Sequence, residues 1–132
     1  MRADHAQGNL VRPGRRRKRR ERRLRAHGAR FLAAAQTAAD YRLFALDGQA
    51  PARPGLLRVA AGQGVSVALE IWALPAAGFG RFVASVPSPL SIGTVTLADG
   101  RGLKGFLVES DAVNGARDIS QFGGWRKFVA SQ

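Results

Sequence analysis

The chain has 132 residues, enough for one domain, and an apolar fraction of 45%, ordinary for a globular protein. It has no cysteine and only two histidines, His5 and His27, which excludes disulfides, thiolate nucleophiles and Cys-based zinc sites and leaves no histidine pair at metal-ligand spacing. The net charge of +12 is uneven: residues 1–30 hold 12 Lys/Arg against 2 acids, while residues 31–132 hold 9 against 7, so a near-neutral domain carries a basic appendage. The division is drawn at 1–26 for the basic segment and 27–132 for the domain.

In chain order, residues 1–14 are polar, with Gly8, Pro13 and Gly14, and read as loop-like. Arg15 to Arg25 have ten charged positions in eleven, nine of them basic. Such a run contacts polyanions nonspecifically through counterion release, since no aromatic is interleaved to stack on bases. The other readings are a solvated tail and a stretch read out of frame. Residues 12–25 are the span assigned to any polyanion contact. A helix is predicted from about Arg20 to Ala35, because the alanines around Phe31, Leu32 and Ala35 suit one helical face.

Tyr41 to Leu46 reads as a strand ended by Asp47-Gly48, Gln49 to Gly55 as a loop, and Leu56 to Val59 as a short strand. Val65 to Ala73 is the strongest strand. Val65, Val67, Leu69, Ile71 and Ala73 fall on one apolar face; Ser66, Ala68, Glu70 and Trp72 fall on the other. A glutamate in mid-strand beside a tryptophan reads either as a solvated surface residue or as the polar group of a pocket. Leu74-Pro75 should start an amphipathic helix with Phe79, Phe82, Val83 and Val86 on its apolar face, stopped by Pro87 and Pro89. Ile92 to Leu97 and Leu103 to Val108 flank Asp99-Gly100, a hairpin signal. Glu109 to Ala116 is a loop, and Trp125, Phe128 and Val129 mark a C-terminal helix. The class is α+β: a small curled mixed sheet or barrel of five to seven strands with two or three peripheral helices.

There is no nucleophile elbow, phosphate loop, dinucleotide fingerprint or metal motif, and no run long enough to span a membrane. The polar candidates are Glu70 with Trp72, Tyr41 at the head of a strand, and Arg117-Asp118 between Gly115 and the Gly123-Gly124 pair. Glu70 is expected to be buried with Arg117, the best candidate, or Tyr41 or a backbone N–H as its partner, since an interior carboxylate needs one. The plainer alternatives are an ion pair fixing a loop for Arg117 and Asp118, and core packing for Trp72 and Trp125.

The residues Gly28-Ala29-Arg30, Tyr41 to Leu46, Arg53 to Val59, Glu70 to Pro75 with Phe79 to Val83, Pro89 to Val95, Leu97 to Gly100, Lys104 to Phe106, and Gly115 to Ser120 with Gly123-Gly124-Trp125 follow an order and spacing that resembles the C-terminal domain of allophanate hydrolase. The resemblance implies the γ-glutamylcyclotransferase-like fold, a pocket at the barrel mouth and an N-carboxycarbamate-like substrate in urea nitrogen metabolism; no cofactor is expected, and the absence of cysteine suits a cytoplasmic setting. For such a pocket Glu70 is the catalytic candidate, since other carboxylates in the sheet are scarce, and Tyr41, Arg117, Trp72, Gly115 and Asp118 are the substrate-binding candidates. The family's glycine-histidine loop should precede Gly28. Gly8-Asn9-Leu10 matches it only faintly, and its histidine is assigned to no residue. Val86-Pro87-Ser88-Pro89 lacks the carboxylate that γ-glutamyl cyclisation needs, which weighs against that alternative. Two others stay open: a noncatalytic module that docks on a separate amidase or forms a homodimer, and polyanion binding by the basic segment.

Overall fold

The computed structural model describes residues 7–13, 24–46 and 52–132. Two sheets share an apolar interior. The larger has the order β2-β5-β1-β7-β6, built from β1 (Gln7–Pro13), β2 (Arg30–Gln36), β5 (Ala68–Pro75), β6 (Leu90–Thr96) and β7 (Gly102–Val108). The smaller has the order β4-β3-β8, built from β3 (Tyr41–Leu46), β4 (Arg53–Arg58) and β8 (Arg117–Asp118). Two helices, α1 (Ala76–Ala84) and α2 (Trp125–Ala130), pack at the periphery, and residues 24–26 form a short helical turn.

β1 sits at the centre of the large sheet, antiparallel to β5 from Gln7–Pro75 to Pro13–Leu69 and parallel to β7 at Leu10–Lys104 and Val11–Gly105. The expectation of a loop over residues 1–14 is therefore corrected for 7–13. The reason lies in Leu10 and Val11. They are adjacent, so they point to opposite faces, and both are buried. Gly105 lets β7 come close, since a Cβ there would lie 2.3 Å from Val11 Cγ2.

Each face of the sheet has its own core. Val11, Val67, Leu69, Ile71 and Val95 face inward and join Tyr41, Leu43 and Leu56 of the small sheet with Trp125 and Phe128 of α2. On the outer face Leu10, Trp72 and Leu74 pack with Leu24, Ala29 and Phe82 of α1. The period-two reading of the strong strand holds, with its span moved to Ala68–Pro75; Val65 makes only a single bridge, to Tyr41. Leu74 and Pro75 end the strand, and the helix begins at Ala76.

The predicted helix through Ala35 is also corrected: residues 30–36 are strand β2, paired along β5 with a bulge between Phe31 and Ala33. Alanine's helix preference amounts to a fraction of about 1 kcal/mol per residue, and strand pairing with a ring contact between Phe31 and Trp72 outweighs it. β4 starts at Arg53, inside the predicted loop. It carries Pro54 because it is an edge strand, where a missing N–H costs nothing. Asp47-Gly48 and Arg15 to Arg23 lie outside the described residues.

β6 and β7 form the predicted hairpin, with Val95 opposite Leu103 and a turn over Asp99-Gly100 in which Gly100 has φ 93°. The large sheet's two edges meet at one end only. There Ala38 N–H donates to Thr96 O at 2.9 Å and Ala98 N–H to Gln36 O at 2.8 Å. The sheet thus curls without closing into a barrel, and the described residues make eight strands rather than five to seven. No helix among the described residues is long and apolar enough to cross a membrane.

Candidate functional site

Strand register builds the site. Across three adjacent strands, Ala34, Glu70 and Arg12 share one row on the outer face, and Phe31, Trp72 and Leu10 share the next. Arg12 donates from Nε to Glu70 Oε1 at 3.1 Å, and its Nη2 is 3.1 Å from the same oxygen. Trp72 Nε1–H donates to that oxygen as well, at 3.2 Å. The Arg12 guanidinium carbon lies 5.2 Å from the centre of the Trp72 ring, and that of Arg25 lies 5.4 Å away. Glu70 is 5% exposed and Arg12 7%. Desolvating two charges costs several kcal/mol per ion, and only such convergent donors recover it.

Glu70 forms part of the wall of a cleft of about 780 Å³ that runs along β2 and under α2. Phe31, Ala34 and Trp125 supply apolar surface, and Arg126 and Lys127 stand on the exposed rim. Gly123 and Gly124 set the distance between α2 and β5. Gly123 adopts φ 73° and accepts a hydrogen bond from Ala68 N–H at 2.9 Å, and a Cβ on Gly124 would come within 2.9 Å of Ala68 Cβ.

Of the six residues predicted from the sequence, Glu70 and Trp72 come together. The partner expected for Glu70 was Arg117, Tyr41 or a backbone N–H; Arg12 takes that place. Arg117 is exposed on β8 and lies over the Phe128 ring at 5.2 Å. Tyr41 is fully buried between the sheets, where its hydroxyl accepts from Thr96 N–H at 2.9 Å and Arg58 covers its ring at 5.0 Å. Asp118 pairs with Arg42 Nε at 2.6 Å and accepts from Ser120 N–H at 2.9 Å. Desolvation opposes the charge on Asp118, yet the Arg42 guanidinium and the Ser120 donors together hold its carboxyl below the ordinary value. Gly115 sits at φ 79° with open space around it, in the turn before β8.

Arg12 was read as part of the polyanion-binding span; its burial against Glu70 removes it from that span. Its signal was its position one residue after the buried pair Leu10-Val11. Arg126 and Lys127 were missed because they flank nothing charged in sequence. Among the described residues no three His, Cys, Asp or Glu side chains gather as metal ligands.

Residues 15–130 match the model of the allophanate hydrolase C-terminal domain. The chain belongs to that family. A urea amidolyase of Lachancea kluyveri is 36% identical over 104 residues, covering 76% of this chain. The chain spans 6% of that relative's length. The Kluyveromyces lactis allophanate hydrolase structure superposes with a TM-score of 0.87 at 34% identity, covering 94% of this chain and 21% of that one. A uropathogenic E. coli-specific protein is similar from end to end: TM-score 0.84, 34% identity, with 96% of this chain and 98% of that chain covered. The allophanate hydrolase C-terminal fold therefore occurs both inside long enzymes and in a chain of about this size.

Proposed function

We propose that this allophanate hydrolase C-terminal domain binds a small carboxylated or carbamoyl compound of the N-carboxycarbamate kind at the Glu70 wall of the cleft, in cytoplasmic urea nitrogen metabolism. The observation that carries the reading is the buried Arg12–Glu70–Trp72 cluster, a fixed carboxylate on a cleft wall with two cations at the rim. Arg126 and Lys127 suit the substrate's carboxylates, and Glu70, held as an acceptor, suits a carbamoyl N–H. In that arrangement Glu70 is the catalytic candidate for release of carbon dioxide, Trp72 orients it, and Arg12 fixes its position from the neighbouring strand. The names of the relatives, urea amidolyase and allophanate hydrolase, support the choice of substrate class. Tyr41, Asp118, Gly115 and Arg117 act on the site through the fold.

Malonate has the two carboxylates of N-carboxycarbamate without its N–H. Calorimetric titration should show saturable malonate uptake that weakens at least about tenfold in an Arg126→Ala, Lys127→Ala double variant, the loss expected when charge-assisted hydrogen bonds go. Equal uptake by the native and double-variant proteins would remove the site from this cleft.

A further inference from the structure

We propose that the outer edge of β2, with the cleft beside it, is a docking site for an extended segment of another protein that alternates apolar and acidic residues. β2 ends the large sheet, and no described strand pairs with its outer edge over Leu32 to Ala35. Soluble proteins blunt such edges with charge, proline or a covering element. Leu32 to Ala35 has no charge and no proline, and Leu32 is 40% exposed. Val129 on α2, which roofs the cleft, is 37% exposed; these two are the exposed large apolar side chains among the described residues.

Size points the same way. The cleft of about 780 Å³ falls in the range that buries a drug-sized ligand, well beyond the seven heavy atoms of N-carboxycarbamate. A strand added to β2 would hydrogen-bond through its backbone and send alternate side chains into that apolar space.

Charge selects the occupant. Arg30 at the head of β2 and Arg126 and Lys127 on the rim are exposed, and no described carboxylate pairs with any of them. The carboxylate in the cleft, Glu70, already holds Arg12. Three outward cations around an apolar strip fit acidic residues interleaved with apolar ones. They disfavour a second copy of this chain, whose net charge is +12. A segment seated there would also cover the cleft and exclude water from the small-molecule site. The docking surface shares the cleft, Arg126 and Lys127 with the small-molecule reading, and the open β2 edge and exposed Leu32 are its own.

The test uses the full chain and a fluorescein-labelled, acetylated seven-residue peptide alternating valine and glutamate, followed by anisotropy. The expected result is saturable binding that Leu32→Gln and Arg126→Glu/Lys127→Glu each weaken at least about tenfold, with no saturation for a peptide bearing lysine in place of glutamate. Leu32 is exposed, so Leu32→Gln should keep the native melting curve and the native uptake of malonate. Absence of malonate uptake by the native chain would count against the small-molecule site only. Absence of saturation with the native chain would overturn the docking proposal. So would binding that Leu32→Gln leaves intact, which assigns the peptide to the arginine run. A dimer in sedimentation velocity that Leu32→Gln dissolves would give the edge to a second copy and overturn it equally.

Discussion

Two arginine–carboxylate pairs described in the structure, Arg12–Glu70 and Arg42–Asp118, join segments far apart in sequence and sit in opposite settings. Arg12–Glu70 is buried on the outer face of the large sheet, with side chains 8% and 6% exposed. Arg42–Asp118 lies at the margin of the small sheet, with side chains 36% and 35% exposed. The second pair is the shorter, 2.6 Å against 3.1 Å, yet it is the one the fold can lose. Length measures the contact. Burial decides what happens to the partner left behind, because water re-solvates an exposed charge and cannot reach a buried one.

The largest effect should come from removing one buried partner. Arg12→Ala strands Glu70 inside the sheet and should destabilise the domain by about 3–5 kcal/mol, read from urea unfolding. A loss under about 1 kcal/mol would mean that Glu70 reaches water. The comparison sharpens with both charges removed: Arg12→Met with Glu70→Leu should recover most of that stability, since apolar replacements of a buried pair are often neutral or better. The same double variant should keep malonate uptake, since malonate has no N–H for Glu70 and Arg126 and Lys127 remain, which separates the pair's role in the fold from the rim's role in binding.

Asp118→Asn should cost at most about 1 kcal/mol, because the pair is a third exposed and the amide oxygen can still accept from Ser120 N–H. Its pH dependence has a definite sign. The folded carboxyl titrates below the ordinary 3.8, so the folded state favours the ionised form. The pair's contribution is complete above 3.8 and disappears as pH falls through the folded value. The gap between native and Asp118→Asn proteins in thermal melts should therefore close below pH 3.8 and stay constant above it. The smallest effect belongs to Asp99→Asn in the β6–β7 turn: Arg101 contacts Asp99 at 2.9 Å, but both side chains are more than half exposed, so melting should not move measurably.

The same contrast explains what could be read in advance. The Glu70–Trp72 face was legible because alternation along a strand is a local signal, and the hairpin was legible because Asp99-Gly100 states its own turn geometry. β1 was not. Its two inward and outward anchors, Leu10 and Val11, are adjacent, and polar or special residues surround them, so the stretch lacks the alternation of a half-buried strand. Arg12 looked like the first residue of a basic tail, and only strand register, which joins positions 58 residues apart, gives it to Glu70. The alanines of β2 misled in the other direction, since an edge strand open on one side needs no bulky side chains. Tyr41, Arg117 and Asp118 were grouped with Glu70 by chemistry, and the small sheet separates them.

The position of β1 bears on how the chain comes together. Its partners, β5 and β7, begin at Ala68 and Gly102, so the strand at the middle of the sheet is released from the ribosome long before either neighbour exists. Until Val108 has emerged, β1 can hold at most one of its two ladders, and Leu10 and Val11 stay open to solvent or to a chaperone. Such distant pairings make folding slow and put the burden of solubility on the nascent chain. The strongly charged stretch that directly follows β1 keeps company with those two apolar residues throughout that interval, which is where self-repulsion between growing chains has the most to prevent.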